Sequence, residues 1–374
     1  MRARLLHWAL ILLLPAIHAA DVSAEYGLNM PRGVTDVSHS VYDLHMTIFW
    51  ICVAIGVVVF GVMFYSIFKH RKSKGAVAAQ FHESTTVEVL WTIVPVIILV
   101  AMAWPATKTL IEMYDTADSE VDIKVTGYQW KWRYEYLGTG VDFFSNLSTP
   151  KDEIYNAKEK NENYLLEVDN ELVVPINKKI RFLITANDVI HSWWVPDFAV
   201  KKDAIPGFIN ESWTRINEPG IYRGQCTELC GKDHGFMPIV VRAVEEDEYQ
   251  SWIIAKQEEA KAEAALAKLT FTLEEQMVRG EEVYNTNCAA CHQANGAGIP
   301  PAFPALKASA IALGPVDKHI EVVVNGVAGS AMQAYGGQLS DVDMAAVITY
   351  ERNAWGNDTG DNVSAKDIVE FKKK

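Results

Sequence analysis

Two long apolar runs near the N-terminus constrain this chain more than any other feature. Met46–Phe68 and Val89–Leu110 are almost wholly apolar. At about 1.5 Å per residue, each is long enough as a helix to cross a bilayer. Pro95 and Pro105 fall inside the second run, and membrane helices tolerate proline. The competing reading is a buried soluble helix, and two such runs joined by a short charged loop argue against it. Lys69, Arg71, Lys72 and Lys74 crowd that loop, whereas Glu112, Asp115, Asp118, Glu120 and Asp122 follow the second run. The positive-inside rule therefore puts the loop in the cytoplasm and everything after Leu110 outside, in the periplasm if the cell is Gram-negative. The first twenty residues agree. Arg2 and Arg4 precede the apolar stretch Leu5–Ile17, and Ala19-Ala20 offers a cleavage point, which is the pattern of an export signal.

The 374 residues are enough for two or three compact units. A net charge of −13 argues against nucleic acid as a partner and permits a cationic protein partner. After an N-terminal segment and the two spans (21–110), residues 120–245 read as β structure. Runs at Val121–Thr126, Tyr164–Val168, Ile180–Thr185 and Ile239–Val244 alternate or are rich in β-branched residues. Turn signals such as Pro175-Ile-Asn177 and Glu218-Pro-Gly220 separate them. This predicts an antiparallel sandwich or barrel, with the polar stretch Asn146–Asn163 as a surface loop. Residues 246–270, rich in Glu, Ala, Lys and Gln, suit a solvated linker helix. A third unit spans 271–358, and the polar tail 359–374 receives no structure.

Within the β region, Cys226-Thr-Glu-Leu-Cys230-Gly-Lys-Asp-His234-Gly-Phe-Met237 gathers two thiols, an imidazole and a thioether, and His191 lies upstream at a strand end. Such a soft donor set suits copper better than magnesium, calcium or manganese. A zinc site of two cysteines and two histidines leaves Met237 idle. A single blue copper leaves one cysteine idle. A dinuclear copper centre bridged by both thiolates employs every soft ligand, with a backbone carbonyl to complete it. Further on, Cys288-Ala-Ala-Cys291-His292 is the C-x-x-C-H pattern of covalent haem c attachment, in which the thiols join the haem vinyl groups and the histidine becomes an iron ligand. A redox dithiol or half a zinc site competes less well. A helix-like run, Gly280–Tyr284, precedes the motif and a loop, Asn295–Pro301, follows it.

His191-Ser-Trp-Trp-Val-Pro196, Lys202-Asp-Ala-Ile-Pro-Gly207 and Gly224–Pro238 make the stretch from Asp36 to about Val244 resemble subunit II of haem–copper cytochrome c oxidases. Quinol-oxidising relatives lack the two cysteines. The stretch Leu273–Asn357, ending Tyr350-Glu-Arg-Asn-Ala-Trp-Gly-Asn357, resembles a small cytochrome c, as fused to subunit II in caa-type oxidases. The resemblance implies a two-helix transmembrane hairpin, an all-β cupredoxin-like Greek-key sandwich and an all-α class I cytochrome c domain. It makes His191, Cys226, Cys230, His234 and Met237 ligands of a dinuclear CuA centre. Glu228 would supply a backbone carbonyl to copper and its carboxylate to a magnesium ion shared with subunit I.

The cytochrome c likeness makes His292 and Met332 the axial haem ligands. The usual proline after the methionine is replaced here by Gln333. Met344, in an apparent helix from Asp341 to Arg352, is the alternative. Met/His ligation would raise the haem potential, as an electron carrier requires.

Two further residues gain roles from the resemblance. Tyr128, Trp130, Trp132, Tyr134 and Tyr136, at period two, would share one face of a strand, and a packed aromatic core is the plain reading. The family instead makes Trp130 the point where electrons enter. Glu88 has capping-box spacing from Thr85, and the family also places a glutamate there at the mouth of a proton channel into subunit I. Together these imply electron flow from cytochrome c or another respiratory donor through haem c and CuA to the oxygen-reducing centre of subunit I, coupled to proton translocation. The partners would be subunit I, a subunit III and membrane lipid, in a bacterial inner membrane. The enzyme activity belongs to the complex, because nothing in this chain could hold two further haems and a third copper inside the bilayer. Other readings are the electron-input subunit of a CuA-containing nitric oxide reductase, a membrane-tethered electron carrier, and a copper-delivery protein.

Overall fold

The computed structural model describes residues 28–327 and 329–373. The export signal read at residues 1–20 lies outside them. The chain divides into two compact units, with the break between Trp252 and Ile253.

The first unit begins with two long helices, α1 (Asp36–Lys69) and α2 (Thr85–Tyr114). α1 starts on a capping box in which Thr35 and Ser38 satisfy each other's backbone N–H groups. Pro95 and Pro105 sit inside an unbroken α2. Neither apolar window is buried against protein. Val57, Phe60, Leu90, Ile97 and their neighbours point outward. Apolar area on this scale needs a hydrocarbon surrounding, so this is a membrane protein carrying soluble domains.

The outer ends of both helices are fastened to the β domain. The Thr35 hydroxyl donates to the Phe198 carbonyl at 3.2 Å, and the Trp213 indole donates to the Glu112 carbonyl at 2.9 Å. Glu88 is exposed. The helix cap falls one residue earlier than the Thr85–Glu88 spacing implies: Ser84 is the N-cap, and its backbone N–H donates to the Glu88 carboxylate at 3.3 Å.

The β domain is a cupredoxin-like sandwich of two five-stranded sheets. Its strands are β1 (Val121–Tyr128), β2 (Lys131–Tyr136), β3 (Val141–Ser145), β4 (Leu172–Pro175), β5 (Ile180–Ala186), β6 (His191–Val195), β7 (Val200–Ala204), β8 (Asn210–Thr214), β9 (Gly220–Cys226) and β10 (Pro238–Val244). One sheet runs β3-β2-β1-β5-β8 and the other β4-β10-β9-β6-β7. β1 pairs parallel to β5, and β10 pairs parallel to β4, so the sandwich is mixed rather than purely antiparallel. Tyr164–Val168 is not a strand. It joins no ladder and holds to the fold through the isolated bridge of Leu147 to Val168, the Ser148 N–H on the Glu167 carbonyl, the Leu165 N–H on the Thr149 hydroxyl and an ion pair between Glu167 and Arg223; the strand forms at Leu172–Pro175, whose four residues are all buried. A run buried on both faces shows no alternation for a period-two reading to find. The loop before it carries a one-turn helix, α3 (Lys151–Ile154).

The aromatic run is not one strand either. β1 ends at Tyr128 and β2 starts at Lys131, so Gln129 and Trp130 form the turn of a hairpin. Trp132, Tyr134 and Tyr136 then share the inward face of β2, all essentially buried. A helix, α4 (Glu246–Leu266), follows the sandwich. Its first turns lay Tyr249 and Trp252 against Tyr136, with ring centroids 6.4 and 5.2 Å apart.

The second unit is helical: α5 (Leu273–Asn287), the single turn α6 (Ala289–His292), α7 (Val316–Asn325), α8 (Asp341–Asn353) and α9 (Ala365–Lys372). α5 and α8 cross so closely that a Cβ at Gly280 would lie 2.2 Å from the Ala346 carbonyl oxygen. Tyr284, Tyr350 and Trp355 pack ring to ring beside the crossing. The tail left without structure from its polarity forms α9, opened by a Ser364–Asp367 capping box. Its one strongly apolar stripe buries Ile368 completely. Burial of that size contributes about 1.5–3 kcal/mol, enough to hold an otherwise polar segment in place.

Candidate functional site

β6 and β9 lie side by side, with Trp193 opposite Cys226. That register sets His191, the first residue of β6, next to Cys226, the last of β9. The loop from Cys226 to β10 turns back over the same end of the sheet and brings Cys230, His234 and Met237 with it. The donor atoms form a continuous chain. His191 Nδ1 lies 4.0 Å from Cys226 Sγ, which lies 3.9 Å from Cys230 Sγ. Cys230 Sγ is 3.5 Å from His234 Nδ1 and 3.6 Å from Met237 Sδ. The Glu228 carbonyl oxygen is 3.4 Å from Cys226 Sγ, while the Glu228 side chain is exposed. His191, Cys226, Cys230 and Met237 are all less than a tenth exposed. Both cysteines are free thiols.

The surrounding hydrogen bonds fix this end of the domain. Asp188 Oδ1 sits 2.9 Å from His191 Nε2, which leaves Nδ1 for the cluster. Its Oδ2 accepts the Gln129 backbone N–H at 2.8 Å. The Gln129 amide and the Trp130 indole both donate to the Cys230 carbonyl, at 2.8 and 3.2 Å. Trp132 donates to the Met237 carbonyl at 3.2 Å and packs edge-on to the His191 ring. A Cβ on Gly127 would stand 2.8 Å from that imidazole, so only glycine leaves the ring its place.

The electrostatics call for cations. The Cys230 thiol, hydrogen-bonded to Cys226, pulls the Cys226 pKa far below the ordinary thiol range against the cost of burial; His191 assists. The same contact pushes Cys230 far above that range, with burial adding to it. Burial opposes charge on His191, but Asp188 and then Cys226 outweigh it and raise its pKa. Two buried thiols at 3.9 Å therefore cannot both ionise unaided, whereas metal ions between them would let both act as thiolates. The central thiols, one imidazole beyond each and a thioether beside the second suit soft metal ions held in a rigid frame.

A second site lies in the helical unit. Cys288 closes α5 and Cys291 and His292 lie on α6, beside a cavity of about 390 Å³. Its walls, mostly apolar, include Phe303, Leu306, Met332 and Val347. His292 Nδ1 is 2.8 Å from the Pro304 carbonyl, which orients the ring and leaves Nε2 available. Met332 lines the cavity, whereas Met344 is fully buried in the packed core of α8. Two thiols, an oriented imidazole and a thioether around an apolar cavity match the needs of a covalently held haem.

Asp188 and Gln129 escaped the sequence reading. Asp188 left a trace, a carboxylate three residues before a metal-binding type of histidine. Gln129 depends on contacts between distant segments.

Comparison with known proteins finds relatives for the spans, the β domain and the helical unit. Residues 121–244 match the family described as cytochrome C oxidase subunit II, periplasmic domain, and residues 23–109 match its transmembrane domain. Residues 275–350 match cytochrome C oxidase, cbb3-type, subunit III. A probable cytochrome c oxidase subunit 2 of Rickettsia bellii is 38% identical over 221 residues, which are 59% of this chain and 80% of that protein. Cytochrome c oxidase subunit 2 of Metridium senile is 38% identical over 245 residues, 63% of this chain and 95% of that one. The crystal structure of the periplasmic domain of subunit II of cytochrome oxidase of Bradyrhizobium japonicum aligns with 43% identity and a TM-score of 0.35, covering 38% of this chain and 98% of that one.

Proposed function

Since the chain belongs to the cytochrome c oxidase subunit II family, we propose that it relays electrons from cytochrome c, or another respiratory donor, through its own haem c and a dinuclear CuA centre to subunit I. His191, Cys226, Cys230, His234 and Met237 would hold the two coppers, with the Glu228 carbonyl completing the set. Cys288 and Cys291 would bind haem c covalently, between His292 and Met332. When bound, the copper pair and the haem take up and hand on single electrons, and no substrate bond is broken at either. The observation that carries the reading is the chain of five side-chain donors, four of them buried, with two thiols at its centre.

The residues of this chain supply rigidity. Asp188 holds the His191 ring, Trp132 buttresses it, and Gln129 and Trp130 pin the carbonyl of Cys230. A frame fixed from several sides keeps donor positions constant between redox states, which lowers the reorganisation that each transfer costs. Trp130 is half-buried and one hydrogen bond from a cysteine of the site, which suits it to receive electrons. The exposed Glu228 carboxylate is free to reach a magnesium ion at the boundary with subunit I. Glu88, exposed at the start of α2, caps its own helix and would sit at the cytoplasmic mouth of a proton channel into subunit I. The soluble units would face the periplasm of a bacterial inner membrane, and subunit III would complete the complex.

Optical and EPR spectra of the chain purified with its partner subunits test this reading. A mixed-valence dicopper signal together with a c-type haem band is expected. One equivalent of zinc with no copper would overturn it.

A further inference from the structure

The wall of the helical unit's cavity contains a charged pair that haem attachment does not use. His319 on α7 and Glu351 on α8 both line it. Nε2 and Oε2 meet at 2.7 Å, with the side chains 1% and 5% exposed. Nδ1 of His319 is buried without a hydrogen-bond partner. With Nε2–H donating to the carboxylate, the pair carries one negative charge in a largely apolar wall, an arrangement costly to bury. One added proton, on either partner, neutralises it. The pair therefore has two charge states separated by a single proton.

Other ionisable groups around the pair are committed. Cys288, Cys291 and His292 are taken by haem attachment. Burial first, then charges that include Glu351, hold the phenols of Tyr284 on α5 and Tyr335 before α8 well above their usual range, so both stay neutral. Arg352, next on α8, is bound to Asp361 and to the Gly314 carbonyl. On α7, Asp317 is exposed and Lys318 pairs with Glu321. On α9, Lys366 faces Glu370, and Lys372 binds Asp341 and the Gly336 carbonyl.

We propose that the His319–Glu351 pair takes up one proton when the neighbouring haem is reduced and releases it on oxidation. The proposal rests on the haem reading above. Oxidised haem carries one more positive charge than reduced haem, and in a low-dielectric wall that charge favours the negative state of the pair. Reduction removes it and favours the neutral state. One electron from the donor and one proton from solvent enter together. On oxidation the electron passes to the acceptor and the proton returns to solvent.

The test is a spectroelectrochemical titration of the haem band in the purified oxidase complex, carried out over about pH 5 to 8. In the wild type the potential falls as pH rises. Its slope approaches one proton per electron, a tenfold change in the reduction equilibrium per pH unit. Glu351→Gln and His319→Gln flatten the slope. A flat wild-type profile, or a slope that survives in both variants, overturns the proposal while leaving the haem assignment intact. Loss of the haem band from the wild-type complex would instead refute that assignment. Redox-difference infrared spectra of the wild type give a reading free of substitutions. A carboxyl or imidazole band that changes on reduction is expected, and unchanged bands overturn the coupling.

Discussion

The indole N–H of Trp130 donates to the carbonyl oxygen of Cys230 at 3.2 Å. One hydrogen bond thus joins a half-buried aromatic ring at the tip of a hairpin to the backbone of a residue whose thiol lies at the centre of the donor cluster. Gln129 donates to the same oxygen from the other side of the turn. The ring is held in register with the site by contacts that a strand position would not have provided.

Trp130→Ala should slow electron transfer into the copper site at least tenfold, about 1.4 kcal/mol on the barrier, with copper content unchanged. Trp130→Phe keeps an aromatic ring and loses the N–H, so it separates the ring's contribution from that of the hydrogen bond. Flash-induced electron injection, with copper measured on the same samples, reads both. A wild-type rate in Trp130→Ala would remove this residue from the path.

Asp188→Asn should weaken metal retention. The carboxylate bridges His191 Nε2 and the Gln129 backbone, and loss of such a partner typically lowers metal affinity roughly 10- to 100-fold. Dialysis of the complex against a graded copper chelator measures the shift. The EPR pattern of the copper that remains reports whether the His191 ring has turned.

The legible parts of the molecule were those in which chemistry sits close in sequence. Cys226 to Met237 span one loop, Cys288 to His292 one turn, and the two apolar spans declare themselves by length. The misses share one physical cause, which is that long-range packing overrode local pattern. The aromatic run looked like one strand because its period is two, yet the chain folds back at Gln129-Trp130 and only β2 keeps the pattern. Leu172–Pro175, buried on both faces, showed no alternation. The tail looked unstructured by composition, although buried Val363, Ala365 and Ile368, a capping box and the Lys372–Asp341 ion pair dock it. The partners Asp188, His319 and Glu351 are ordinary polar residues until the fold closes around them.

Gly127→Ala should damage the metal site while sparing the sandwich. The added methyl carbon would stand 2.8 Å from the His191 ring, so the imidazole must shift. The expected result is tenfold or greater loss of copper affinity, about 1.4 kcal/mol, with far-ultraviolet circular dichroism unchanged. Chelator competition and circular dichroism on the same preparation decide it.

Met332 and Met344 should respond differently to the same substitution. Met332→Leu removes the thioether lining the cavity, so the oxidised haem should lose the spectral signature of methionine ligation and its potential should fall. Met344→Leu alters only packing inside α8, and a volume-conserving exchange there costs less than about 1.5 kcal/mol. Its visible spectrum should match the wild type. The reverse result would exchange the two assignments.

Asp361→Asn should make the helical unit less stable in a pH-dependent way. Hydrogen bonding from Arg352, against a smaller cost of burial, holds the Asp361 carboxyl below its usual range. Arg352 is only 4% exposed and also donates to the Gly314 carbonyl at 2.9 Å. Because the folded pKa is depressed, the stabilisation is fully present above the unfolded carboxyl value, about 3.9. It is lost as pH falls through the lower folded value. At neutral pH the variant should therefore be less stable by roughly 0.5–1 kcal/mol, because the Asp361 side chain is 38% exposed, solvent screens the pair and the asparagine oxygen still accepts from Arg352. The difference should shrink as the wild-type carboxyl takes up its proton. Urea denaturation of the complex, followed through the haem band at several pH values, measures it. A gap that stayed constant down to the acid limit would assign the effect to packing around Asp361 rather than to its charge.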